Sequence, residues 1–240
     1  MSDAAPPRRA MVLAAGRGER LRPLTDSTPK PLIEIDGRSL LDRTLDGLAR
    51  AGVERAVVNV SHLADRIEAH LARRTRPAVT VSREPTLLGT GGGVANALAE
   101  LGDAPFYVAN SDVIVLDGVR PALDRLAREW REAAMDALLL VHPTVRAFGY
   151  TGPGDYVVSP DGALRRRGER EIAPCLFTGV QILHPRLFDA CPEGPFSLNL
   201  MFDRAETARR LYGVVHDGAF LHIGTPAALA DAERYLRELD

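Results

Sequence analysis

Two hundred and forty residues, 45% of them apolar and 26% charged, can bury one sizeable core, or a core with a small lobe. A net charge of −2 and a pI near 6.3 argue against nucleic acid as a partner, and two cysteines, Cys175 and Cys191, exclude a disulfide framework or a cysteine-rich zinc site. No stretch approaches the ~20 apolar residues of a membrane span, and residues 1–7 read as a flexible polar tail without a signal core, which points to a cytoplasmic protein with no membrane partner.

From Arg8 onward, short β-rich runs alternate with longer amphipathic ones. Strands are expected at Ala10–Ala15, Ala56–Val60, Ala78–Ser82 and Phe106–Ala109, and helices at Leu40–Ala51, Ala64–Arg73 and Gly93–Leu101. Such alternation predicts a mostly parallel sheet with helices on both faces, with ligands collecting at the carboxyl ends of the strands. Beyond Asp112 the pattern loosens. A helix is expected at Gly118–Ala133 and a strand at Ala137–His142, followed by a Gly- and Pro-rich stretch, Phe148–Gly162, that reads as an inserted hairpin region. Strands at Phe177–Leu183 and Ala219–Ile223 and helices at Leu198–Leu211 and Pro226–Leu239 complete a single α/β domain over residues 8–240.

Several short constellations sit at the turns of this pattern. Directly after the first strand comes Leu13-Ala14-Ala15-Gly16-Arg17-Gly18-Glu19-Arg20-Leu21-Arg22. Its small residues leave a cradle of N–H groups for phosphate oxygens, with Arg17, Arg20 and Arg22 available to neutralise a polyphosphate. The run lacks the third glycine of the dinucleotide fingerprint and the Gly-Lys-Ser/Thr ending of a P-loop, which removes both of those readings. Lys30 follows, fixed between Pro29 and Pro31, and it is the only lysine among thirty basic residues. A lysine ammonium reaches a single oxygen in a tight site where the arginine fork does not fit, so the one exception to an arginine bias marks a selected position. Gly89-Thr90-Gly91-Gly92-Gly93 opens a helix and lets backbone approach a flat ligand, although a plain loop fits it equally well. Asn110-Ser111-Asp112 closes the Phe106 strand, where a carboxylate suits Mg²⁺ whose shell is completed by substrate phosphates. His222-Ile223-Gly224-Thr225-Pro226 is a strand, a turn and a capped helix start.

Taken in order, L-A-A-G-x-G-x-R-L-x-P-L-T, T-P-K-P-L, G-T-G-G-G, N-S-D, F-T-G and H-I-G-T-P resemble the sugar-1-phosphate nucleotidyltransferases, over Arg8 to the end of the chain. Glu19 after Gly18, the short chain, the triple glycine and Phe177–Pro185 look most like the N-acetylmuramate-1-phosphate uridylyltransferases of cell-wall (peptidoglycan) recycling; similar short enzymes are mannose-1-phosphate guanylyltransferases. The resemblance implies a Rossmann-like, glycosyltransferase-A-like mixed sheet flanked by helices with a small inserted β region. It also implies transfer of a nucleotidyl group from a nucleoside triphosphate (UTP, or GTP in the alternative) to a sugar 1-phosphate, releasing pyrophosphate. On that basis Leu13, Ala14, Ala15, Gly16, Arg17, Gly18 and Glu19 would hold nucleotide, with Gly91 and Gly92 against the base. Arg20, Lys30 and Asp112 would be catalytic, Asn110 would lie near ribose or sugar, and Thr178 and Gly179 would line the sugar pocket.

Asp112 and His222 would hold Mg²⁺. The family's second metal ligand is commonly Asp, and an imidazole suits Mn²⁺ or Co²⁺ better than Mg²⁺, so either His222 ligates a softer metal or it contacts phosphate while Asp112 holds Mg²⁺ with water. Many members carry a second lysine for the sugar phosphate; here Arg146 or one of Arg165 to Arg167 would have to stand in for it. Those two departures are also what a catalytically silent, nucleotide-sensing relative would show. The protein is expected as a monomer or homodimer.

Overall fold

The apolar run Ala10-Met11-Val12 is fully buried and becomes the central strand, β1 (Arg9–Leu13), of the computed structural model, which describes residues 5–239. Residues 1–4 of the expected tail lie outside the described residues. A one-turn helix, α1 (Leu24–Ser27), and a small hairpin of β2 (Glu34–Ile35) and β3 (Arg38–Ser39) lead to α2 (Leu40–Arg50). Ser39 caps α2, its hydroxyl accepting from the Asp42 N–H at 3.0 Å. There follow β4 (Arg55–Val60), α3 (Ala64–Leu71), β5 (Ala78–Arg83), α4 (Gly89–Asn96), α5 (Leu98–Leu101) and β6 (Phe106–Asn110).

The second half comprises β7 (Val113–Leu116), α6 (Ala122–Glu129), β8 (Ala137–Pro143), β9 (Tyr156–Val158), β10 (Leu164–Arg166) and β11 (Cys175–Leu183). It ends with α7 (Leu198–Thr207), β12 (Leu211–Val215), β13 (Ala219–His222) and α8 (Pro226–Arg237). The β9–β10 hairpin overlaps the inserted region expected at Phe148–Gly162, with β10 lying beyond its end. The short strands β7 and β12 were not expected: β7 falls in the stretch beyond Asp112 where the pattern loosens, and β12 follows directly on the helix expected to run to Leu211. The expected helix at Gly118–Ala133 shortens to α6, whose start is fixed by Asp117 Oδ1 accepting from the Ala122 N–H at 2.8 Å.

Strands β5, β4, β1 and β6 pair in parallel in that order, and β11 joins β6 antiparallel. β11 is long enough to pair with β8 along both of its halves and to meet β9 at Cys175, with a bulge between Phe177 and Gln181. β12 then extends the sheet in parallel beside β8, and β10 lies outside β9.

Helices α2, α3 and α6 cover one face, burying Leu41, Leu45, Ile67 and Leu126 against Val12, Val58 and Tyr107. Helices α4, α5 and α7 cover the other, burying Val94, Leu101, Met201 and Phe202 against Met11, Val57 and Val108. The fold is thus the three-layer α/β arrangement that the βα alternation predicts. A smaller cluster of Leu21, Ile33, Ile35, Ile114, Leu221 and Ile223 with Ala232 and Leu236 of α8 seats the β7–β13 ribbon beside the sheet. Among the described residues no helix is long and apolar enough to cross a membrane.

Candidate active site

Strand register sets the site. Leu13 at the end of β1 lies opposite Asn59 of β4 on one side and Asn110 of β6 on the other, and Asn59 lies opposite Ser82 of β5. The loops that leave these strands therefore emerge along one line, at the carboxyl edge of the parallel half. They enclose a cleft of about 540 Å³ lined by Leu13 to Leu21, Lys30, Asn59, Glu84, Leu87, Gly89, Thr90, Asn110 to Asp112 and Gly224.

The floor is the loop after β1. Ala14 and Ala15 are buried, and the Ala14 N–H is taken by Asn59 Oδ1 at 2.7 Å. Among the described residues, the next four N–H groups, of Ala15, Gly16, Arg17 and Gly18, meet no protein acceptor. Successive unpaired N–H groups in a turn at the end of a strand form an anion-binding concavity. Gly18 takes φ +64°, and a Cβ there would stand 2.9 Å from both Lys30 Cβ and Thr25 Cγ2, so only glycine fits. The buried Thr25 hydroxyl donates to the Gly18 carbonyl at 3.0 Å and fixes the loop's far end.

Lys30 is 7% exposed, and its Nζ donates to Asp112 Oδ2 at 2.8 Å. Asp112 itself is held by the preceding residue: the buried Ser111 donates its hydroxyl (2.8 Å) and its N–H (3.2 Å) to the Leu13 carbonyl. β13 pairs with β7 so that His222 lies opposite Val113, next in sequence to Asp112. A Cβ added at Gly224 would meet His222 Nε2 at 2.7 Å and Arg20 Cζ at 3.6 Å, which brings the imidazole and the guanidinium together at the cleft wall. Burial pushes the His222 pKa down; Asp112 opposes that, while Lys30 and Arg20 add to it. On balance these influences favour the neutral ring, the form in which imidazole ligates metal.

On the other side, Gly179 in the β11 bulge has φ +85° and packs on Asn110, whose side-chain atoms would lie 2.7 to 2.9 Å from a Cβ at that position. The two expected sugar-side residues Asn110 and Gly179 are therefore in contact. Thr178 is turned inward: it is buried and its hydroxyl donates to the Leu140 carbonyl at 2.8 Å. What it offers is the shape of the bulge, not a donor into the cleft. Gly91 and Gly92 also differ from expectation. Their N–H groups both donate to the Phe196 carbonyl (2.9 and 3.2 Å), and they pack against Phe196 and Gly194, so their close approach is to the protein's own chain. Leu87, Gly89 and Thr90 line the cleft at that end instead.

The arginines of β10 and its turn have partners of their own. Arg165 pairs with Glu171 and Arg166 with Asp203, while Arg167 donates to the carbonyls of Gly154, Gly168, Glu169 and Glu171. Arg146 is exposed in the turn after β8. Sequence reasoning missed Thr25, Asn59, Glu84 and Ser111, all polar and all buried. The available signal was an Asn inside the apolar run Val57-Val58-Asn59-Val60 and a Glu immediately beyond β5.

Comparison with known proteins places the whole chain among nucleotidyltransferases. A family of MobA-like NTP transferase domains matches residues 10–221. The N-acetylmuramate alpha-1-phosphate uridylyltransferase of Caulobacter vibrioides is 42% identical over 97% of this chain and 98% of its own length, and that of Neisseria meningitidis serogroup B is 33% identical over 94% and 96%. The mannose-1-phosphate guanylyltransferase catalytic subunit beta of Drosophila melanogaster is 27% identical over 91% of this chain, which spans 60% of that longer protein. A crystal structure of UDP-glucose pyrophosphorylase complexed with UDP-glucose superposes with a TM-score of 0.79 over 97% of this chain and 99% of that one, at 14% identity, and shares the fold.

Proposed function

This chain belongs to the family of MobA-like NTP transferase domains, and from that premise we propose that it is a uridylyltransferase joining UTP to N-acetylmuramate α-1-phosphate. The observation that carries the reading is the ion pair of buried Lys30 with the partly exposed Asp112, in the same cleft as four unpaired loop N–H groups. The identity of the sugar and base follows the relatives named above: the guanylyltransferase is less similar and matches only part of a longer protein.

In this reaction a phosphate oxygen of the sugar phosphate attacks the α-phosphorus of UTP. A new P–O bond forms to it, the bond to the β-phosphate oxygen breaks, and the electron pair leaves with pyrophosphate. Catalysis is then positioning and neutralisation of charge. The N–H groups from Ala15 to Gly18 hold phosphate oxygens without reorganising. Lys30 bridges the attacking phosphate and the α-phosphate, and Arg20 faces the departing β- and γ-phosphates. Asn110 and Gly179 shape the acceptor side. Leu87, Gly89 and Thr90 border the base end.

One carboxylate and one neutral imidazole make a donor set that fits a divalent cation, Mg²⁺ or Mn²⁺, held by Asp112 and His222. Among the described residues no three His, Cys, Asp or Glu side chains gather on their own, so the remaining ligands would be substrate phosphate oxygens. When bound, such an ion neutralises phosphate charge. A nucleoside triphosphate substrate fits an enzyme of the cytoplasm.

The test is pyrophosphate release by the purified protein with UTP and N-acetylmuramate α-1-phosphate, against GTP with mannose 1-phosphate, each with Mg²⁺ and with Mn²⁺. Turnover with the first pair at least about tenfold faster is expected. Preference for the second pair would overturn the substrate assignment, and no release with any pair would leave a nucleotide-binding relative without this activity.

A further inference from the structure

A buried hydrogen-bonded relay ties together the two loops that face the cleft from opposite ends. The Ala14 N–H, at the start of the phosphate loop, donates to Asn59 Oδ1 (2.7 Å), Asn59 Nδ2 donates to Glu84 Oε1 (2.8 Å), and the Leu88 N–H donates to Glu84 Oε2 (3.0 Å). Asn59 and Glu84 are each 2% exposed, yet both border the cleft. Gly93 of α4 closes over them: a Cβ there would lie 2.7 Å from Asn59 Nδ2 and 2.9 Å from Glu84 Oε1. Among the described residues no lysine or arginine bonds to Glu84, so hydrogen-bond donors alone compensate this buried carboxylate.

The polarity of the relay explains why a carboxylate occupies position 84. Both ends are backbone donors, Ala14 N–H and Leu88 N–H, and Asn59 supplies one acceptor and one donor. The remaining member must therefore accept at both of its oxygens, which a carboxylate does and an amide cannot. A glutamine would fit the same space but would set an NH₂ group against another donor, either Asn59 or the Leu88 N–H.

We infer that Glu84 is a positioning residue for the nucleotide. Through Asn59 it locks the phosphate loop, and through the Leu88 N–H it locks the Leu87–Thr90 edge, so that both ends of the nucleotide meet one preorganised seat. The inference rests on reading this cleft as the nucleotide site. The relay acts by fixing two backbone segments that touch the ligand, and its effect belongs to nucleotide binding, not to the sugar phosphate.

Three isosteric variants test it: Glu84→Gln, Asn59→Asp, and the two combined. Each single change breaks the relay, the first by opposing two donors and the second by opposing two carboxylates. The double variant rebuilds it with one bond reversed. The new amide nitrogen at position 84 would donate to the new carboxylate at position 59, and that carboxylate would still accept from the Ala14 N–H. The amide oxygen at position 84 would accept from the Leu88 N–H. UTP affinity measured by calorimetry, together with KM for UTP, should weaken about tenfold in each single variant and return to within about threefold in the double. KM for the sugar phosphate should stay within about twofold throughout. Unchanged UTP affinity in Glu84→Gln would overturn the inference. So would a double variant as poor as the singles, because the charge at position 84 would then act on the nucleotide directly. If the parent protein itself binds no UTP, the nucleotide reading fails, which is a different result.

Discussion

Lys30 and Asp112, eighty-two residues apart, meet as an ion pair of 2.8 Å at the mouth of the phosphate loop, with the lysine almost wholly buried and the carboxylate still half-open to the cleft. The pairing orients both groups before any substrate arrives. A buried ammonium is costly without a partner, so the carboxylate keeps Lys30 in place, while the second Asp112 oxygen stays available to a cation.

Replacing Lys30 should be severe whichever residue is chosen. Lys30→Ala is expected to lower kcat/KM by ~100-fold or more, the scale seen when one preorganised electrostatic donor is removed. Lys30→Arg should restore little, because the buried position presents a compact ammonium to one Asp112 oxygen, a geometry that the wider planar fork does not reproduce. Steady-state kinetics would check both; a Lys30→Ala enzyme within about tenfold of the parent refutes the assigned role.

Gly18→Ala combines two penalties, a left-handed φ of +64° and contact with Lys30 Cβ and Thr25 Cγ2. A loss of ~1–3 kcal/mol in chemical denaturation is expected, together with a fall in kcat/KM larger than that of Gly16→Ala, where the space is open. Equal effects at the two positions would mean that the Gly18–Lys30 contact does not matter.

If His222 ligates the cation, His222→Asp should raise activity with Mg²⁺ relative to Mn²⁺ by several-fold, since a carboxylate is the harder ligand. Assays at matched concentrations of each metal would show it, and an unchanged ratio would count against ligation.

Acid should destabilise the fold through a pair of buried histidines. His142 and His216 are each 1% exposed, their rings 6.0 Å apart, with Nε2 atoms at the Gly218 carbonyl (3.3 Å) and the Leu116 carbonyl (2.9 Å). Burial pushes both pKa values below the ordinary 6.5. A histidine that binds its proton more readily when unfolded contributes stability that is complete above 6.5 and is lost as pH falls through and below that value. Tm should therefore decline between about pH 7 and pH 5, and His216→Gln, which keeps a donor for Leu116, should flatten the decline. Identical pH profiles for the two proteins would refute this.

The parts of the site that could be read in the sequence are those whose chemistry lies within a few consecutive residues. Gly16, Gly18, Lys30 and Asp112 announce themselves by residue type and by their places at strand ends. Asn59 and Glu84 do not, because their role arises only when β1, β4 and β5 align in register and bring residues 14, 59 and 84 into one hydrogen-bonded line. The triple glycine pointed to close backbone approach, which is present, but the sequence carries no mark of the partner, and that partner is the Phe196 segment of the same chain. In the same way Thr178 was expected to line a sugar pocket, and its hydroxyl in the bulge of β11 donates to the Leu140 carbonyl.

The arginine bias has a practical side. Since the chain's one lysine lies buried at the cleft and ion-paired, amine-directed reagents find no exposed ε-amino group among the described residues. Dyes or biotin offered to amines at neutral pH should therefore leave the cleft unmodified. Any slow labelling of the lysine would report directly on opening at Lys30.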